Sequence, residues 1–291
     1  VLTLKEVSLR KGKRTYLDEV SFTAETGRIT AIVGTRSAGR TELVRIIMGL
    51  IAADEGTIEL EDFELDFGDR QNFGYLPAER GGYPNMRVLD QIVYLARLHG
   101  ITLGAAERNA LTLLGHLELA DRGYAPLKNL SGAEIARVDI AATLAADPDV
   151  VVIDDAFAGL DAASLRLVTS LLRAHASSGV PVILATDDWE AAQTFADDVV
   201  ILGQGKVTAK GSVEKLLGDP HYRVETTDTE AAASALKSRT GISDVKTAGR
   251  ERVSFRANDA RSAAAAVAEL KNVKNFESVR PTLAEQYKEA L

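Results

Sequence analysis

Ile29-Thr30-Ala31-Ile32-Val33-Gly34-Thr35-Arg36-Ser37-Ala38-Gly39-Arg40-Thr41 joins a short apolar run to a glycine-bounded loop, and the following TELVRIIMGLIA has helical spacing. An apolar run of this length ending in glycine predicts a buried strand that feeds a tight loop and then a helix. Upstream, LTLKEVSLR and the stretch from VSFTAE onward read as strands. Downstream, VVVID and PVILAT are β-rich runs separated by the helical pattern AASLRLVTSLLRAHA. Strand, helix, strand predicts a parallel α/β core. Residues from about 84 to 146 are dominated by helix formers in periodic blocks, which predicts a helical subdomain there. After Tyr222 the pattern changes to β-α-β-β-α-β with a terminal helix, the order of the ferredoxin-like split unit. The expected division is therefore residues 1–222 and 223–291.

Composition excludes several classes. With 46% hydrophobic and 26% charged residues, the 291-residue chain has enough apolar side chains for a core and is not a disordered sequence. It has no Cys, which removes disulfides, thiolate nucleophiles and zinc ribbons. The four His residues, His99, His116, His175 and His221, show no ligand spacing. The net charge of −8 divides into −10 on the first 222 residues and +2 on the rest, and an acidic main domain argues against nucleic acid as a partner. No run is long and apolar enough to span a bilayer, and VLTLKEVSLRKGKR lacks the apolar centre of a signal peptide, so a membrane role is expected only through a partner.

The loop Gly34–Thr41 has the spacing G-x-x-x-x-G-K-[ST], with Arg40 in the lysine slot. Glycines let backbone N–H groups curl around phosphate oxygens, and the helix N-terminus adds positive potential. Thr41 is the expected magnesium ligand. Read alone, the altered match fits a plain tight turn as well as a phosphate site. In the same way, Ser131 and Glu134 fit a capping box, and VVVIDD fits a buried strand ending in solvated carboxylates.

Their order along the chain decides between these readings. Leu130-Ser131-Gly132-Ala133-Glu134, then DVVVIDDAFAGLD at 149–161, follow the loop in an arrangement that resembles the ATP-binding subunits of ABC transporters, with their LSGGQ signature, Asp-Glu strand end and Leu-Asp turn. GYLPAERGGYPNM at 74–86 and VRPTLAEQYKEAL at 279–291 are similar to segments of one branch of that family, the sodium, drug and antibiotic exporters. The resemblance implies an ABC-type P-loop NTPase domain, a mixed β core with an antiparallel β subdomain and a helical subdomain, followed by the small α+β ferredoxin-like domain. It also implies ATP and magnesium as ligands, with Gly34, Thr35, Arg36, Ser37, Ala38, Gly39, Arg40, Thr41 and Glu42 around the nucleotide. Thr41 and Asp154 are the implied metal ligands. Ser131, Gly132, Ala133 and Glu134 form the signature loop offered to a partner's ATP.

Against that pattern the catalytic positions are altered. Arg40 replaces the loop lysine with a bulkier planar fork. Ser37 replaces a loop glycine, and Glu42 replaces a hydroxyl residue beside the phosphates. Ala78 stands at the magnesium-reaching glutamine and cannot ligate anything. Asp155 stands at the catalytic glutamate, one methylene short, a displacement that costs a general base its geometry. Asp187 stands at the switch histidine and puts an anion where transition-state charge needs a donor. Lys11 occupies the adenine-stacking position, and Tyr16 is expected to pack between strands.

These losses, with the signature and the Gly159-Leu160-Asp161 turn retained, lead to the expectation of a degenerate ATP-binding subunit. It would pair with a competent ATP-binding subunit, in a hetero- or homodimer, and with membrane-spanning subunits at the cytoplasmic face of the membrane. Two alternatives remain open at this point: a homodimeric transport ATPase with unusual catalytic residues, and a scaffold that binds no nucleotide.

Overall fold

The computed structural model describes residues 1–66, 68–79, 81–218, 221–249 and 251–287. Arg80, within the stretch 74–86, and residues 288–291, the end of the expected C-terminal domain, lie outside the described residues. The chain forms two compact units, the second spanning Glu214–Gln286, with Tyr287 returning to the first. The expected boundary after Tyr222 falls inside the second unit, which begins at Glu214 within the short helix Val213–Leu217.

In the first unit a six-stranded sheet runs in the order Lys206–Ser212, Asp198–Gly203, Ile29–Gly34, Val182–Thr186, Val150–Asp154, Phe73–Leu76. Five strands, Asp198–Gly203 through the edge strand Phe73–Leu76, are parallel, and the other edge strand Lys206–Ser212 is antiparallel. Every residue of Ile29–Gly34, Val150–Asp154 and Val182–Thr186 is buried, as continuous apolar strands covered on both faces require. Helices Arg40–Ile47, Ala162–Ser177 and Trp189–Phe195 lie in this part of the chain. The phosphate-loop strand therefore sits centrally, and its C-terminal end is the place where ligands bind in sheets of this kind.

A second sheet is antiparallel, in the order Arg14–Ala24, Leu2–Lys11, Glu55–Leu60, Phe63–Glu64. Alternation along Leu2–Lys11 and Arg14–Ala24 buries Leu2, Leu4, Leu17, Val20 and Phe22 in the same core that takes Leu43, Ile47 and Val152. The helical layer comprises Val88–Leu98, Leu103–His116 and Gly132–Leu144. Strands Glu55–Leu60, Asp198–Gly203 and Lys206–Ser212 were not read from the sequence. Glu55–Leu60 buries only one residue, so its apolar pattern is faint.

The second unit has one four-stranded antiparallel sheet in the order Ile242–Ala248, Arg252–Ala257, His221–Thr226, Val273–Val279. Helices Thr229–Lys237 and Ala260–Ala268 fall between strands one and two and between three and four. Tyr222, Val224, Leu236, Phe255 and Val267 form its own core, and Tyr222 stacks between Phe255 and Phe276 at 5.7 and 5.9 Å. The opposite sheet face carries ion pairs, Arg223 with Glu277 and Arg252 with Glu225.

Candidate functional site

The loop after Ile29–Gly34 is shaped by steric need. A Cβ on Gly34 would lie 2.5 Å from the Leu202 carbonyl oxygen and 2.8 Å from the Ala38 Cβ. Gly39 has φ +94°, and a Cβ there would lie 2.5 Å from the Tyr16 carbonyl oxygen. Only glycine meets both conditions at Gly39. The loop is closed by Ala38 N–H donating to the Thr35 carbonyl at 3.0 Å. Helix Arg40–Ile47 then begins with no side-chain cap, so its first-turn N–H groups and the positive end of the helix dipole have no N-cap side chain as acceptor. Thr35, Arg36 and Ser37 are exposed around this opening, and Thr41 and Glu42 are half-buried on the first turn.

Arg40 lies under the loop with its side chain only 10% exposed. Burial pushes its pKa down, and Asp187, Asp154 and Asp155 oppose that in decreasing order. Even so it stays protonated, because an arginine in a protein does not lose its proton. Its Nη2 is 3.7 Å from Asp187 Oδ2, while its buried Nε has no hydrogen-bond partner. Arg36, nearly fully exposed, reaches the same Asp187 oxygen at 3.8 Å through Nε.

Asp154 ends the buried strand Val150–Asp154. Burial raises its pKa, and the facing Thr41 hydroxyl and the Arg40 charge act against this. Its Oδ2 is buried without a partner. A buried carboxylate oxygen beside a hydroxyl is a hard-oxygen donor set that fits magnesium, an ion that takes one or two protein oxygens, phosphate oxygens and waters. Thr41 and Asp154 are the residues that would hold it. Ala78, in an exposed bend after Phe73–Leu76, supplies no third donor.

Asp155 is half-buried with φ +53°. A non-glycine residue in this region is uncommon, although aspartate is among the residues that tolerate it. It acts on Arg40 electrostatically, so the structure brings Asp154, Asp155, Asp187 and Arg40 to one place. Three of these four were expected as metal, catalytic and switch positions, and the fourth as the lysine substitute.

The signature segment forms a separate feature of the same unit. Ser131 is the N-cap of helix Gly132–Leu144 and makes a complete capping box with Glu134. Glu134 N–H donates to Ser131 Oγ at 3.3 Å, and Glu134 Oε2 accepts from Ser131 N–H at 2.7 Å and from its hydroxyl at 2.9 Å. Arg122 Nε donates to Glu134 Oε1 at 2.8 Å, and the Arg122 and Ser131 bonds hold the Glu134 pKa down at about 2. Gly159, at φ +78°, comes close to this helix, since a Cβ on it would lie 3.7 Å from Ala136 Cβ.

One contact was not read from the sequence. Arg14 Cζ sits 4.5 Å from the centroid of Tyr16, and Lys11 Nζ sits 5.7 Å from it, so two cations cover the half-buried ring beside the loop. The signal was the spacing of Arg14 and Tyr16, two apart on a strand and hence on one face. Tyr16 also packs against the main core, as expected.

A glycine loop between a buried central parallel strand and a helix, with an acidic strand end next to it, is the arrangement of a P-loop fold. Residues 17–158 match the family model described as ABC transporter. The chain is 26% identical over 242 residues to the uncharacterized ABC transporter ATP-binding protein YhaQ of Bacillus subtilis, covering 83% of this chain and 81% of that one. It is 29% identical to the daunorubicin resistance ATP-binding protein DrrA3 of Streptomyces coeruleorubidus, with 83% and 79% covered. Among solved structures it is similar to an ATP-binding subunit of an ABC transporter, with a TM-score of 0.68, 25% identity, and 74% and 91% of the two chains covered. It shares its fold with a dimeric bacterial ABC transporter cassette at a TM-score of 0.65 and 22% identity, with 74% and 99% covered. The first unit is thus similar in sequence and fold to the ATP-binding subunits of ABC transporters.

Proposed function

We propose that this chain is a degenerate ATP-binding subunit of an ABC exporter, which binds nucleotide at Gly34–Glu42 and hydrolyses it weakly or not at all. The observation that carries this reading is the contrast at one site between a sterically built phosphate loop and a catalytic set dominated by carboxylates. Backbone N–H groups of the loop and the Arg40 guanidinium bind and orient phosphates. Asp155, one methylene short, is poorly placed to take a proton from water, and Asp187 adds negative charge where the reaction needs it removed. Magnesium, when held by Thr41 and Asp154, would offset phosphate charge.

The partners in this reading are a second ATP-binding subunit and membrane-spanning subunits at the cytoplasmic face. The dimeric cassette supports the first by its shared fold. The second is supported by exposed Tyr94, Leu98 and Leu103, which border a cavity of about 420 Å³ in the helical layer with Asp90, Arg97 and Glu107; a surface of this kind is what a partner helix needs. No helix among the described residues is long and apolar enough to cross a membrane. Exporter function rests on relatives such as DrrA3. The unit 214–286 is, in this reading, a ferredoxin-like accessory domain for subunit contact. The test is phosphate release by the purified chain, alone and mixed with a competent ATP-binding subunit. The reading expects little release alone, and it fails if the chain alone turns over at the rate of the competent subunit.

A further inference from the structure

The two aspartates that follow strand Val182–Thr186 are used differently. Asp188 caps helix Trp189–Phe195, its Oδ1 accepting from Ala191 N–H at 2.9 Å, and its own N–H donates to Thr186 Oγ1 at 3.0 Å. Asp187 takes no part in this cap. Its side chain is 45% exposed and turns to the phosphate loop, with Oδ2 3.7 Å from Arg40 Nη2 and 3.8 Å from Arg36 Nε. Both basic side chains of the loop thus already share an anion.

The local charge is already negative before any ligand arrives. Arg36 and Arg40 are set against Asp154, Asp155 and Asp187, all of which act on Arg40. Asp154 is buried and fixed at the strand end, and Asp155 follows it directly. Asp187 is paired with both of the loop's cations while its side chain remains 45% exposed. A phosphate group entering the loop must take the same two guanidinium groups, and it meets the Asp187 charge as it does so. Arg40 Nε is buried and without a hydrogen-bond partner.

We propose that Asp187 is an internal anion that competes with nucleotide phosphate for Arg36 and Arg40, and so sets both the affinity of the site and its dependence on phosphate number. The proposal rests on the reading of Gly34–Glu42 as a nucleotide site. Asp187 is here a specificity-determining residue, and its effect is on binding whatever the rate of hydrolysis.

The experiment measures equilibrium binding of ATP, ADP and AMP to the purified full chain by calorimetry, with Asp187→Asn and Asp187→Ala as variants. Glu190→Gln, exposed on the next helix and outside the loop, is the control. Thermal unfolding checks that each variant is folded. Removing one partly screened unit charge is expected to tighten ATP by about tenfold, ADP by less and AMP hardly at all, with the gain shrinking as salt is raised. Wild type binding ATP while Asp187→Asn binds it no tighter overturns the proposal and leaves the nucleotide reading standing. Equal gains for AMP, ADP and ATP also overturn it, because a merely structural change does not count phosphates. If neither protein binds ATP at millimolar concentration, the proposal and the nucleotide reading fail together. Binding by Asp187→Asn alone is the strongest form of the expected result.

Discussion

Two helix N-termini in the first unit are capped differently, although each carries a carboxylate in its first turn, Glu42 in one and Glu134 in the other. Helix Arg40–Ile47 starts at Gly39 with no side-chain cap, so its first-turn N–H groups have no N-cap side chain as acceptor. Helix Gly132–Leu144 starts at Ser131 inside a closed capping box, and Glu134 provides a fixed carboxylate there. The first end suits an incoming anion by backbone geometry, yet its side-chain cations are shared with Asp187. At the second, the Glu134 carboxylate is held by Arg122 and the Ser131 N–H and hydroxyl. A helix N-terminus is therefore not a phosphate site by its dipole alone; what caps its first turn decides.

The comparison breaks most sharply at Gly39. Gly39→Ala puts a methyl group 2.5 Å from the Tyr16 carbonyl oxygen at φ +94°. The expected cost is at least about 2 kcal/mol of stability, read from urea unfolding, together with loss of nucleotide binding. A variant as stable as wild type would show that the loop is not sterically determined. Next, Arg40→Met removes the buried cation on which Asp154, Asp155 and Asp187 all act. ATP affinity is expected to fall by about tenfold or more, and unchanged affinity would mean that Arg40 does not touch phosphate.

At the signature end the effects are smaller. Ser131→Ala removes the cap and is expected to cost about 1 kcal/mol, measured by thermal or urea unfolding, with no change in the affinity of the chain's own site. Glu134→Gln keeps hydrogen-bonding capacity but removes the charge. Because the folded-state pKa of Glu134 lies at about 2, below its ordinary value of 4.5, ionised Glu134 contributes stability that is present above about pH 4.5. That contribution is lost as pH falls from there through about 2. Its side chain is 16% exposed, and solvent keeps the gain modest. Acid unfolding curves of wild type and Glu134→Gln should therefore converge toward pH 2, and curves that stay parallel over that window would contradict the assignment.

Much of this was legible in sequence because the signals were strong and local. Ile29–Gly34, Val150–Asp154 and Val182–Thr186 are fully buried strands, and buried parallel strands read as unbroken apolar runs. Gly39 marks itself by spacing, and Ser131 with Glu134 by the capping-box pattern. The second unit was legible through alternation at Tyr222, Val224, Val253 and Phe255. Less legible were features made by distant residues. The contest of Arg36 and Arg40 for Asp187 spans about 150 positions and has no local period. Strand Glu55–Leu60 pairs with Leu2–Lys11 across a long separation while burying only Ile58, so its pattern is weak. Lys206–Ser212 was missed because it alternates polar and small residues, whereas Asp198–Gly203 is an apolar run like the other buried strands and did carry a readable signal.

The central claim is that this loop binds nucleotide while its catalytic positions do not hydrolyse it. Its most direct test combines calorimetric ATP binding with phosphate release by the purified chain in magnesium, with Asp155→Ala alongside. The account predicts saturable binding, release near background, and no further change in Asp155→Ala. Magnesium-dependent turnover that disappears in Asp155→Ala would contradict it and make Asp155 a working base.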